Sequence, residues 1–421
     1  MPTPDTRTPS EHDCDRILYS DELRRLGGVT QVLAVGEAPL FHTRLTHTLK
    51  VQQLARRLAE HLYRTEVQAA GSSSIDVSAA EAAGLAHDLG HPPFGHVGEQ
   101  ALHQKCEAHG LDGFEGNAQT FRILTKLGSH PTLSSGLGIS SKTLAAVVKY
   151  PWQRVGKHAK SSKWNAYMTE SKAFEDCRVG INEGERSIEA QIMDWADDVT
   201  YAVHDLEDFA RSGHVPLTTL SDLEDSDEFV SFFNRAEERL QKKSDYKDLD
   251  WSVVREDFAS MLTLCFEKVK TQPLGPGRTK EIRDGCRLLI SEYISGAELS
   301  GDKRSISISP KRRCEVDLFK QLTWHYVIHD PRLAVLPGDV GQSREGWLVP
   351  AGCVGPVVVV VVQPAVKFTA ALGLAHVAAG VGPAVGQGAV KPLDLAVGLR
   401  PIGPRALVPD AELGAGVAPQ V

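Results

Sequence analysis

Residues 86–96, AHDLGHPPFGH, hold three histidines and an aspartate among two glycines and two prolines. Imidazole nitrogen and carboxylate oxygen together form a donor set that suits a borderline or hard divalent cation. A histidine left over from such a set can carry protons. His47 lies upstream in an amphipathic segment and Asp197 far downstream. With His87 and Asp88 they would make two imidazoles and two carboxylates, leaving coordination positions open for water and substrate. Neighbouring residues in mid-helix diverge by about 100°. His87 and Asp88 fall just before Gly90, at a helix end, where that obstacle relaxes. Taken singly, each residue has an ordinary explanation: a surface or core histidine, a helix-end hydrogen-bonded pair, an acid on a solvated face.

Helices must position these residues. In RLTHTLKVQQLARRLAEHLYRTE, Leu45, Leu49, Leu54, Leu58 and Leu62 recur at spacings of four and five, which predicts one apolar stripe. SAAEAAGLAHDLG opens on Ser78 with Glu81 three residues on, a capping-box pattern, and stops at Gly90 before Pro92 and Pro93. A further helix resumes at VGEQALHQKCEAHG. A long helix spans SIEAQIMDWADDVTYAVHDLEDFARSG and ends at Gly213. On it Asp197, Tyr201, Asp205 and Asp208 share one face, opposite Ile192, Val199, Val203 and Leu206. Neither period-2 strands nor an internal repeat is visible, so the expected class is all-α.

The 421 residues are 42% hydrophobic and 24% charged, a soluble globular composition, and the net charge of -8 offers no global attraction to nucleic acid or an anionic membrane. Nucleic-acid contact is therefore not indicated. Seven scattered cysteines, with no CxxC pair, favour reduced thiols in a cytoplasm. The segment KYPWQRVGKHAKSSKW is basic and aromatic. A solvated loop is its favoured reading, ahead of a polyanion contact. LGPGRTK near Gly275 lacks the Gly-Lys-Ser/Thr ending of a phosphate loop and reads as a turn.

Domain boundaries follow from composition: a flexible N-terminus over 1–16, a helical core over 17–334, and an irregular tail over 335–421. The tail is rich in Val, Ala, Gly and Pro, lacks Asn, Tyr and Met, and includes an unbroken valine run at 357–362. Gly, Pro and Lys367 interrupt it too often for a membrane helix. It reads as a poorly ordered extension or as a stretch translated in a shifted frame. The bias favours the second, since a GC-rich gene gives such residues off-frame.

The joint arrangement His47, His87-Asp88, Asp197 resembles the H…HD…D signature of the HD-domain phosphohydrolases. The blocks DRILYSDELRRLGGVTQV, HTRLTHTLKVQQLARRLA, GLAHDLGHPPFGHVGEQAL, GFEGNAQTFRIL, KYPW and DWADDVTYAVHDLEDF resemble, in that order, the deoxyguanosinetriphosphate triphosphohydrolase-like family. The similarity runs over about 15–334. It departs at Val29, where a basic residue is usual before Thr-Gln-Val, and at DCDR, where arginine-aspartate-arginine is common.

The resemblance implies an HD-domain helical bundle that hydrolyses a deoxynucleoside triphosphate to deoxynucleoside and tripolyphosphate. It implies a divalent metal on His47, His87, Asp88 and Asp197, manganese or magnesium first, with iron, nickel, cobalt or zinc behind. It implies a catalytic pair His96 and Glu99, with His91 near the phosphates, either protonating the leaving oxygen or binding only. Arg44 would meet phosphate oxygens, Tyr201 would pack on the sugar, and Asp205 would bond the 3′-hydroxyl. Glu115 and Asn117 would lie behind them. A homo-oligomer is also implied. The alternatives are another HD-type nucleotide phosphohydrolase or phosphodiesterase, and an inactive nucleotide-binding scaffold.

Overall fold

The apolar periodicities resolve into fourteen α-helices among the described residues, which in this computed structural model are 5–29, 42–130, 132–220, 226–273, 275–302 and 304–328. They are α1 (Pro9–Leu18), α2 (Asp21–Arg25), α3 (Arg44–Ala70), α4 (Val77–Ala86), α5 (Gly95–Ala108), α6 (Gly116–Arg122) and α7 (Ser141–Ala146). Then follow α8 (Ser171–Cys177), α9 (Ile188–Arg211), α10 (Leu217–Leu220), α11 (Asp227–Leu240), α12 (Trp251–Phe266), α13 (Pro276–Ser295) and α14 (Pro310–Thr323). Between α13 and α14 a small antiparallel hairpin pairs β1 (Ala297–Leu299) with β2 (Ile306–Ile308). It escapes a sequence reading because three residues per strand are too few to display alternation. The tail over 335–421 lies outside the described residues.

The long helix α9 is the axis of the bundle. Ser187 caps it by accepting the Ala190 N–H at 3.1 Å. Its apolar positions Ile192, Trp195, Val199, Val203 and Leu206 join α3, α11, α12, α13 and α14 in one core. Met193, on another side, reaches a second core built on α1, α4, α6 and α7. Because both sides are covered, the helix is buried over most of its circumference. The acidic face is not solvated, contrary to the ordinary reading of its spacing: Asp205 and Asp208 are each 3% exposed. Asp208 meets the entry to α3, where the His42 N–H donates to it at 2.8 Å.

On α3 the predicted stripe holds at Leu54, Leu58 and Leu62, but Leu49 is exposed and Val51 and Ala55 take the core positions instead. Helix α4 is almost entirely small residues, Ala79, Ala80, Ala82, Ala83 and Gly84 among them, all buried. A Cβ on Gly84 would lie 2.9 Å from the Cα of Gln52, so only glycine lets the α3 and α4 backbones approach this closely. The cap of α4 is Asp76 rather than Ser78. Asp76 accepts the Ala79 N–H at 2.9 Å and the Ser10 hydroxyl at 2.7 Å. Glu81 instead bonds Gln52 and Arg56 on α3.

Helix α1 lies largely within the segment 1–16. Thr8 and Glu11 form a reciprocal capping box with Pro9 at the first helical position, and α1 begins there. Asp13 on α1 is 1% exposed and accepts the Ser140 N–H at 3.0 Å. The turn at Gly275 leads into Pro276, the first residue of α13. No helix among the described residues is long and apolar enough to cross a membrane. The six cysteines among them, from Cys14 to Cys314, are all unpaired.

Candidate active site and metal centre

The α3–α4 contact brings His47 and His87 together with ring centroids 5.5 Å apart. One ligand atom each from His47, His87 and Asp88 lie within 4.8 Å of one another. Asp197 on α9 joins through the imidazoles: its Oδ1 is 3.1 Å from His47 Nε2 and 3.6 Å from His87 Nε2. Side chains from three helical segments are thus drawn together, three of them as one mutual group and Asp197 against the two imidazoles.

The donor chemistry fits a cation. His87 Nδ1 donates to the Gly84 carbonyl at 2.8 Å, and its buried Nε2 has no hydrogen-bond partner. The tautomer is thereby set, with a lone pair turned towards the cluster. Burial pushes His47 below the ordinary histidine range, although Asp197 opposes this, which favours the neutral, ligating imidazole. Burial works against charge on Asp88 as well, yet Arg44 beside it holds the carboxyl well below the usual range. Burial likewise opposes charge on Asp197, and Lys149, His87 and His47 overcome it. Both carboxylates stay ionised.

Arg44 spends one guanidinium N–H on Asp88 at 2.7 Å, so in this state it braces a ligand carboxylate. His91 lies beside the same residue, its Nδ1 3.5 Å from Asp88 Oδ1, with Nε2 buried and unpartnered. Burial, then Arg44, push His91 down to about 4. The chain between the ligand pair and His96 is shaped by backbone. A Cβ on Gly90 would fall 2.3 Å from the Gly116 carbonyl oxygen, and Phe94 adopts a left-handed φ of 64° immediately before α5. A non-glycine residue in that region is strained, and such strain gathers at functional turns. Beyond it His96 is open to solvent, with Nδ1 3.1 Å from Glu99 Oε2. The pair stands apart from the metal cluster, although the charge of His96 reaches His91.

Along α9, Tyr201 feels Asp205, Arg44 and Asp197, and so lies between the cluster and the second acid. Burial, reinforced by Asp208, raises Asp205 to about 8. The folded protein therefore keeps a proton on Asp205 that the unfolded chain releases near pH 4. Stability should fall as pH rises from about 4 to about 8. Asp205→Asn is expected to remove this dependence. Its stability should match the parent's near pH 4 and exceed it increasingly towards pH 8, on the order of a few kcal/mol, read as a growing gap in melting temperature. A constant gap in thermal melts across that range would refute the buried, proton-bearing Asp205.

Two lysines complete the site, from the ends of the segment that the sequence reading favoured as a solvated loop. The middle of that segment, with Lys157 and Lys160, is exposed, whereas the two end lysines turn inward. Lys149 Nζ lies 2.7 Å from Asp194 and 3.3 Å from Asp197, holding the latter in place. Lys163 Nζ lies 2.9 Å from Glu99 and 3.1 Å from Glu115. The ends of the loop are anchored: Trp164 is fully buried, Trp152 stacks on His158 at 4.6 Å, and the indole N–H of Trp152 donates to the Lys163 carbonyl at 2.7 Å. The available signal was the alternation of basic and aromatic residues, which suits a loop anchored by its rings. Glu115 caps α6 through the Asn117 and Ala118 N–H groups, and the Asn117 side chain bonds back to it.

The HD domain family matches residues 44–202, a span that includes His47, His87, Asp88 and Asp197. A deoxyguanosinetriphosphate triphosphohydrolase-like protein of Corynebacterium efficiens is 36% identical over 343 residues, covering 78% of this chain and 76% of that protein. Its counterpart in Corynebacterium diphtheriae is 38% identical over 340 residues, with 78% and 76% covered. One from Streptomyces coelicolor is 44% identical over 238 residues, covering 53% of each chain. Bundle, ligand cluster and family match together define an HD-domain hydrolase with a site for a divalent metal. More narrowly, the chain belongs to the deoxyguanosinetriphosphate triphosphohydrolase-like family.

Proposed function

We propose that this chain hydrolyses deoxynucleoside triphosphates to deoxynucleoside and inorganic tripolyphosphate. The observation that carries the reading is the approach of Asp197 to both imidazoles, at 3.1 and 3.6 Å, beside a separate His96–Glu99 pair. The family supports it as well. A divalent cation on His47, His87, Asp88 and Asp197, with manganese or magnesium as the proposed ion, supplies Lewis-acid polarisation of a phosphoryl group and acidifies water.

The chain's own residues divide the remaining work. Glu99 accepts the Nδ1–H of His96, leaving Nε2 to take a proton from the attacking water. Water oxygen bonds to the α-phosphorus as the bond to the 5′-oxygen breaks. The departing 5′-oxygen takes its proton from solvent water, and His91, with its unpartnered Nε2, is assigned to bind beside it. Tyr201 packs on the deoxyribose, where a 2′-hydroxyl would not fit. Asp205, carrying its proton, bonds the 3′-hydroxyl. Arg44 exchanges part of its grip on Asp88 for phosphate oxygens.

The test is incubation of the purified full chain with each deoxynucleoside triphosphate and Mn²⁺ or Mg²⁺, with chromatographic identification of both products. Deoxynucleoside and tripolyphosphate in equal amounts are expected. Orthophosphate, pyrophosphate or a nucleoside monophosphate in their place would point to another HD-type reaction and overturn the reading.

A further inference from the structure

Glu99 and Glu115 come from different elements, α5 and the cap of α6, yet both reach the same ammonium group. Glu99 is surrounded in a defined way. Its Oε1 accepts the Gly116 N–H at 3.1 Å and lies 2.9 Å from Lys163 Nζ, while its Oε2 meets His96 Nδ1 at 3.1 Å. Glu115 is fully buried and fixed by the α6 amides. Two tyrosines also face this group: Tyr150 feels Lys163 and Glu115, and the Tyr167 hydroxyl accepts the Glu115 N–H at 3.3 Å. Two carboxylates held this close without a cation between them tend to share a proton.

We propose that Lys163 is a positioning residue for the proton-transfer pair, its ammonium bridging Glu99 to the buried Glu115 and so holding the Glu99 carboxylate turned to Nδ1 of His96. This rests on the reading of His96 and Glu99 given above. Several observations support it. Lys163 is itself placed by its backbone, whose carbonyl accepts from the Trp152 indole at 2.7 Å and from the Ser161 hydroxyl at 2.6 Å. Burial alone would raise Glu99, but His96, Lys163 and the Gly116 amide bring it down to about 2. Burial raises Glu115 despite Lys163. Removing the ammonium leaves one amide and one imidazole to keep Glu99 charged against a neighbouring acid.

The experiment pairs a pH profile with a readout that needs no turnover. In Lys163→Met the acid limb of kcat against pH should move up by about one pH unit or more, with kcat near neutrality falling roughly tenfold. Lys163→Arg should restore the limb. Lys163→Met combined with Glu115→Gln should restore it too, because the repelling charge is gone. Carboxyl ¹³C NMR of labelled glutamate, with Glu99 assigned from the Glu99→Gln variant, should show the Glu99 midpoint rising in Lys163→Met and returning in Lys163→Arg. A raised KM with an unmoved pH profile would overturn the proposal, as would an unmoved Glu99 midpoint. If the parent hydrolyses no deoxynucleoside triphosphate, the functional reading fails, and the NMR titration still decides the role of Lys163.

Discussion

His47→Ala is expected to lose bound metal and hydrolytic turnover together, with activity down by at least about a thousandfold. Truncation removes one of the two imidazoles and the contact that places Asp197, at 3.1 Å. His87, Asp88 and Asp197 remain, but Lys149 and Arg44 already compete for the two carboxylates. The remaining three donors are then a weak site for a cation. The measurement is metal content by mass spectrometry on dialysed protein, beside a deoxynucleoside triphosphate assay and a thermal melt to verify folding. A folded variant that retains a full equivalent of metal would remove His47 from the ligand set.

Glu99→Gln should behave in the opposite way towards metal. The amide keeps the shape of the side chain and its link to the Gly116 N–H, but it cannot stabilise a positive His96. Turnover should fall by about a hundredfold or more, as expected when a general base loses its orienting carboxylate. Metal stoichiometry should stay at the parent's value, since Glu99 bonds to none of the converging ligands. Activity within a few-fold of the parent would sink the His96–Glu99 assignment. Loss of metal would mean that the two groups are not separate devices.

The two experiments address the parts of the site that were most legible in the sequence. The histidine–aspartate pair at a helix end, the lone upstream histidine and Asp197 on the long helix could be marked from residue type, spacing and family resemblance. The limits of α9 were equally plain, because a serine cap and a glycine stop are local signals. Other features needed tertiary partners. Ser78 and Asp76 are both good caps, and the choice was made by Ser10 from α1 and Glu189 from α9, which bond Asp76. The face carrying Asp205 and Asp208 has the same spacing whether water or another segment covers it. The inward turn of Lys149 and Lys163 was hidden for a similar reason: their partners lie 48 and 64 residues away, and the aromatic residues between them mark an anchored loop but not which lysines turn inward.

The contact at Gly84 has a consequence for how this centre tolerates change. Where two helices touch through main chain, no pliable layer of side chains exists to absorb an added methyl group. The same residue offers its carbonyl to His87 one turn later. Volume inserted there would act as a wedge whose thin edge points at the two imidazoles, altering their spacing without touching either ring.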